Sequence, residues 1–72
     1  MGNKELSKFG ENVRALRLKR KYSQLVLAER ADSHLNYIGG IERGQQNPSL
    51  GKIISIAHAL NCRLTDLLKG IH

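Results

Sequence analysis

His58 and Cys62 stand four apart in an apolar stretch, so on a helix they would share a face and could grip a metal ion. A zinc site wants four ligands, and no second pair lies nearby in sequence. No Ser-His-Asp set, paired carboxylates or glycine-rich phosphate loop is present either. What remains is a set of hydrogen-bonding groups suited to recognition rather than bond-making. Ser33, His34, Leu35 and Asn36 make a mostly polar run, and Arg43, Gln45, Gln46 and Asn47 make another one short helix later. A chain of 72 residues would also struggle to preorganise an active site. The expectation is therefore a binding domain, not an enzyme, with no metal and no cofactor.

The charge balance says what such groups would meet. Twelve Lys and Arg face six Asp and Glu, a formal charge of +6, densest from Arg14 to Lys21 (RALRLKRK). That field attracts polyanions: DNA, RNA or an acidic membrane surface. With one Phe and two Tyr there is no aromatic platform for stacking RNA bases. No apolar run approaches the ~20 residues of a membrane span, and the N-terminal segment MGNKELSKFG lacks an apolar signal core. A single cysteine, Cys62, permits no disulfide framework and fits a reducing cytoplasm, where it reads as a small buried hydrophobe.

The elements that would position these groups are helical throughout. A first helix is expected from about Lys4 to Arg20, with Leu6, Phe9, Gly10, Val13 and Leu16 on one stripe and Arg14, Arg17 and Lys21 on the next. A second starts after the N-cap Ser23 and buries Leu27, Ala28 and Ala31. Asp32 tolerates left-handed backbone, and Ser33 is the expected cap of a third helix over about His34–Arg43, with Ile38 and Ile41 inward. Gly44 stops it. Pro48 keeps Asn47 out of helix, Ser49 caps a fourth helix, and Leu50, Ile53, Ile54, Ala57 and Leu60 form its expected buried stripe. Asn61 ends that helix, and Leu64, Leu67, Leu68 and Ile71 make a short last one. The result is one all-α domain over residues 1–72, a compact five-helix bundle.

The segment from Ser23 to Gly44, SQLVLAERADSHLNYIGGIERG, is then two short helices joined by a tight turn. With Tyr37-Ile38, Ile41-Glu42-Arg43-Gly44, Asn47-Pro48-Ser49-Leu50 and Ile53…Ile56-Ala57…Leu60, it resembles the lambda-repressor-like, or Xre-like, family of helix-turn-helix domains. The likeness covers roughly Phe9 to Leu68. Each piece is weak alone; their joint order and spacing is strong. The chain departs from the pattern at Lys21 and Asp32, where glycine is usual in the turns, and at Arg63, where Ser or Thr often caps the last helix.

The resemblance implies a double-stranded DNA partner, with helices two and three as the helix-turn-helix and the third helix in the major groove. His34, Leu35 and Asn36 open that helix as base-reading candidates. Asn36 suits adenine or a phosphate, and Leu35 can meet only a thymine methyl. Gln46 is the base-reading candidate of the following loop. Gly39 and Gly40 stand where relatives often carry readers. They cost roughly 1 kcal/mol each relative to alanine, so they imply either close approach of backbone to DNA or a thin reading face. Phosphate candidates are Ser23, Gln24, Ser33, Tyr37, Arg43, Gln45, Asn47 and Arg14, with Tyr37 alternatively packing on the first helix. By the same resemblance Arg17 and Glu42 are a structural ion pair, which neutralises an acid that DNA would repel.

Ile56, off the main stripe of its helix, with Leu64, Leu68 and Ile71, is the expected surface for a second copy of the chain. The expectation is a homodimeric, cytoplasmic and nucleoid-associated transcription regulator with no small-molecule effector. A restriction–modification controller or a small phage repressor fits best. An antitoxin, or a protein-interaction adaptor on the same bundle, is the rival.

Overall fold

A computed structural model describes all residues 1–72. The helices are α1 (Asn3–Lys19), α2 (Gln24–Arg30), α3 (Leu35–Glu42), α4 (Leu50–Leu60) and α5 (Leu64–Leu67), with no strand. Phe9 and Val13 of α1, Leu27 of α2, Ile38 and Ile41 of α3, Ile56 and Leu60 of α4 and Leu67 of α5 meet in one core. α3 packs on α1 and α2, α4 packs on α2, and α5 bridges α1 and α4. α3 is thus held between α1, the longest helix, and α2.

The helices stop by one device used four times. After α1 the Tyr22 amide donates to Arg17 O and the Lys21 amide to Leu18 O. Ser33 and Asp32 repeat the pair on Ala28 and Glu29, Gln45 and Gly44 on Gly40 and Ile41, and Cys62 and Asn61 on Ala57 and His58. Each closure needs one left-handed residue. Lys21 (φ 62°), Asp32 (φ 51°), Gly44 (φ 74°) and Asn61 (φ 51°) supply it. Only Gly44 adopts that conformation without steric cost, and Lys21 is the least suited of the four. Relieving it by Lys21→Gly should stabilise the fold by about 0.5–1 kcal/mol, because the added chain entropy of the unfolded state cancels part of the relief. Thermal denaturation should show a Tm higher by roughly 3 °C or more, and a lower Tm would contradict the strain.

Several sequence expectations need correction. In α4, Leu50 (68% exposed) and Ile54 face outward, whereas Ile56 is fully buried in the core. Ile56 therefore cannot serve an intersubunit surface; Leu64 and Leu68 are exposed, and Ile71 is half-buried against the core. Ser33 does not cap α3: His34 holds the N-cap position without a side-chain bond. Ser33 Oγ instead donates to Ala31 O at 3.1 Å and accepts from Lys52 Nζ at 2.7 Å. The α3 helix proper ends at Glu42, with Arg43 as its cap. α5 is a single turn, and Leu68 and Ile71 lie beyond it. Arg63 has no side-chain acceptor to offer, and the Asp66 carboxylate takes its amide instead, at 2.9 Å. Cys62 is half-buried rather than enclosed. Burial foremost, then nearby Asp66, pushes its thiol up against the opposing pull of Arg20.

Ser23 and Ser49 do cap their helices, accepting from Val26 N and Lys52 N at 3.1 Å each. These caps fix where α2 and α4 begin. No helix is long and apolar enough to cross a membrane.

Candidate nucleic-acid interface

α3 is short, and its one nearly enclosed polar side chain, Glu42, stands at its end, so its placement depends on what holds its two ends. At the C-terminal end stands the expected ion pair. Arg17 Nε donates to Glu42 Oε2 at 2.6 Å and Nη2 to Oε1 at 3.1 Å, a two-pronged contact between nearly enclosed side chains (10% and 4% exposed). Arg17 Nη1 also reaches Tyr22 O at 2.9 Å. α1, the first turn of the chain and α3 are therefore tied at one point.

Gln24 joins the same network. Its Nε2 donates to Glu42 Oε1 at 3.1 Å. One amide hydrogen is thereby engaged, and the other is left to donate at the start of α2. Arg17 neutralises Glu42, and the carboxylate in turn orients Gln24.

Gly10 lets this happen. A β-carbon there would lie 2.3 Å from Ile41 O and 2.7 Å from Glu42 O. Only glycine permits α1 to approach the last turn of α3 so closely.

At the other end of α3, His34, Leu35 and Asn36 are all exposed. Tyr37 is half-buried against the core, and Lys52 Nζ of α4 sits 5.6 Å from its ring centroid. Burial pushes the Tyr37 hydroxyl up, so at neutral pH it stays protonated and can donate. Lys52 was not legible as part of this site. Its ammonium bridges Ser33 Oγ and the Tyr37 ring and makes no salt bridge. It thus joins two phosphate candidates with an unneutralised charge. Only the fold brings the first turn of α4 to the start of α3.

The middle of α3 departs from expectation. Gly39 and Gly40 are not open backbone; both are buried beneath side chains that follow the helix. The Arg43 guanidinium lies over Gly39, with Arg43 Nε donating to Gln45 Oε1 at 2.9 Å. Gln46 lies over Gly40. Arg43, Gln45 and Gln46 are themselves exposed. Both glycines, expected as base-reading positions, are buried in the free chain. Asn47 is exposed, and its Oδ1 accepts from the N-terminal amine at 3.3 Å, leaving its NH2 to donate. Ser23 and Arg14 are exposed on α2's start and α1.

Two further polar side chains matter only to the frame. Arg20 donates to Leu60 O and Asn61 O at 2.8 Å each, closing the end of α4. Asn12 Nδ2 does the same for α5 through Leu67 O and Lys69 O, both at 2.8 Å.

A family model described as helix-turn-helix matches residues 13–67, nearly the whole bundle. The chain belongs to the helix-turn-helix family of DNA-binding transcription regulators. Among its relatives, this regulator is 43% identical over 58 residues to control protein C.SmaI of Serratia marcescens, covering 81% of the regulator and 69% of that protein. It is 36% identical over 59 residues to the immunity repressor protein of Bacillus phage phi105, covering 82% of the regulator but only 41% of that protein. Its fold matches the crystal structure of the restriction–modification controller protein C.AhdI from Aeromonas hydrophila with a TM-score of 0.87. That match has 41% identity and covers 89% of the regulator and 97% of the other chain. The all-α helix-turn-helix architecture read from the sequence is therefore the observed one.

Proposed function

We propose that this regulator acts as a homodimer on a near-palindromic operator, in the manner of a restriction–modification controller or a small repressor. α3 of each subunit would enter the major groove, with half-sites about one turn, ~34 Å, apart. Asn36 and Gln46 are the foremost base readers, assisted by His34 and Leu35. Gln24, Tyr37, Arg43, Lys52 and Asn47 hold phosphates, with Ser23, Arg14 and Gln45 at the margin. Leu64, Leu68 and Ile71 form the surface for the second copy. Regulation would then follow concentration and dimerisation rather than an effector, in the cytoplasm and on the nucleoid.

The observation that carries this reading is the grouping of hydrogen-bond donors around α3. Exposed His34, Asn36, Arg43, Gln45 and Gln46 lie on or beside one short helix whose acid, Glu42, is neutralised from behind. The kinship with control and controller proteins and a phage repressor supports the regulatory role. The kinship with DNA-binding regulators supports reading the chain as a binder rather than an enzyme.

The test is binding of a duplex recovered by in vitro selection, compared with random duplex, at increasing salt. A dimer neutralising several phosphates should lose about 10³-fold in affinity between dilute and physiological salt. Arg43→Ala should weaken both duplexes alike and reduce the salt slope by about one. Salt-indifferent binding, or equal affinity for selected and random DNA, would refute the proposal.

A further inference from the structure

The glycine pair in the middle of α3 demands an explanation that the groove reading does not supply. Two poor helix formers sit consecutively in a helix of only 8 residues. Neither has a positive φ, so neither is required by backbone conformation. Neither approaches another helix's backbone as Gly10 does: the nearest atoms belong to side chains.

Those side chains are the answer. A β-carbon on Gly40 would lie 2.9 Å from Gln46 Cγ and 3.3 Å from its Nε2. One on Gly39 would lie 3.0 Å from Arg43 Nη1 and 3.7 Å from Gln24 Oε1. The chain turns back after α3 through the left-handed Gly44 and the Gln45 N to Gly40 O bond at 2.8 Å. That turn delivers Gln46 onto the helix it has just left. Arg43 is held in place by Gln45.

We infer that Gly39 and Gly40 are specificity-positioning residues: a side-chain-free seat on which Arg43 and Gln46 lie. The groups offered to DNA at the centre of the recognition helix, Gln46 to a base edge and Arg43 to the backbone, then come from its end and the following loop. Both long side chains would otherwise be mobile, and the seat fixes their direction before DNA arrives. Gln46 presents an amide that suits adenine, and Arg43 a guanidinium that suits a phosphate. This inference rests on the groove reading above, and it assigns the specificity within it.

The obstructing atoms belong to flexible side chains, so alanine at either position should leave the fold intact. Gly39→Ala and Gly40→Ala should have a Tm equal to or above that of the parent, since alanine favours helix. In the free protein, the Gln46 side-chain amide resonances should move in Gly40→Ala. In fluorescence anisotropy, the preference for the selected duplex over random duplex should fall about tenfold in Gly40→Ala and in Gln46→Ala. The double variant should be no worse than the poorer single, because both remove one arrangement. Random-duplex affinity and its salt dependence should be unchanged in Gly40→Ala, which touches only the Gln46 seat. Undiminished preference in Gly40→Ala would overturn the inference while leaving the groove reading standing. So would losses that simply add, which would mean that the glycines meet DNA directly. Absence of salt-dependent binding in the parent would overturn both.

Discussion

Glu42→Ala should cost about 3–5 kcal/mol and leave the domain largely unfolded at ambient temperature. The variant strands the Arg17 guanidinium in a site that is 10% exposed, with the Tyr22 carbonyl as its remaining partner. It also releases Gln24, whose amide donates to the same carboxylate. A small domain of this kind commands only about 5 kcal/mol in total, so the loss is close to the whole. Urea denaturation followed by far-UV circular dichroism reads the outcome. A loss below about 1 kcal/mol would mean that the pair is solvated and of little weight.

The cause is the isolated charge, not the missing attraction, and a second variant separates the two. Arg17→Met combined with Glu42→Leu removes both charges and keeps the volume, so it should recover most of the stability lost in the single. Exchanging the two charges should recover less. A carboxylate at position 17 would face the Tyr22 carbonyl that Arg17 Nη1 now satisfies. The pair thus makes α3 placement conditional on both partners, which is what a recognition helix requires: it is either correctly seated or absent.

This pair was legible in the sequence through family likeness, and the caps through chemistry alone. Ser23, Ser49, Gly44 and Asn61 punctuate helices by bonds to residues a few positions away, so their roles are written locally. The phase of α4 was legible only in part. Apolar residues are so frequent in α4 that Leu50 and Ile54 read as inward, yet Gly51, Ser55 and His58 recur at i, i+4 and i+7 and mark the outer face, which places Ile56 inward. The neighbours α2 and α5 meet the inner face, burying Ile56 and exposing Leu50. Lys52, Arg20 and Asn12 escaped for another reason. Each acts on residues far along the chain, such as Arg20 on Leu60, and no local pattern marks a long-range anchor. Gly39 and Gly40 lie between these cases. Their cost was visible in sequence, but the side chains that cover them were not.

Gly10→Ala should be as severe as loss of the ion pair, and it isolates geometry from charge. Alanine favours helix over glycine by about 1 kcal/mol, so propensity alone predicts a gain on α1. The structure reverses that sign. The new β-carbon would lie 2.3 Å from Ile41 O and 2.7 Å from Glu42 O, and neither is a side chain that can swing aside. Relief requires α1 and α3 to separate, which opens the core at Phe9 and Ile41 and lengthens the Arg17–Glu42 contact on the same turn. Overpacking against fixed backbone costs about 3 kcal/mol or more, well beyond the propensity gain. Gly51→Ala is the matched control. Position 51 lies in α4, and its nearest obstacle is Ser49 Oγ at 3.9 Å, an ordinary contact. There propensity should prevail, with a gain of about 0.5–1 kcal/mol. The same substitution in one bundle should therefore lower Tm by more than ~10 °C at position 10 and raise it by a few degrees at position 51. Equal effects at the two positions would mean that α1 and α3 are not in the close contact that holds the recognition helix.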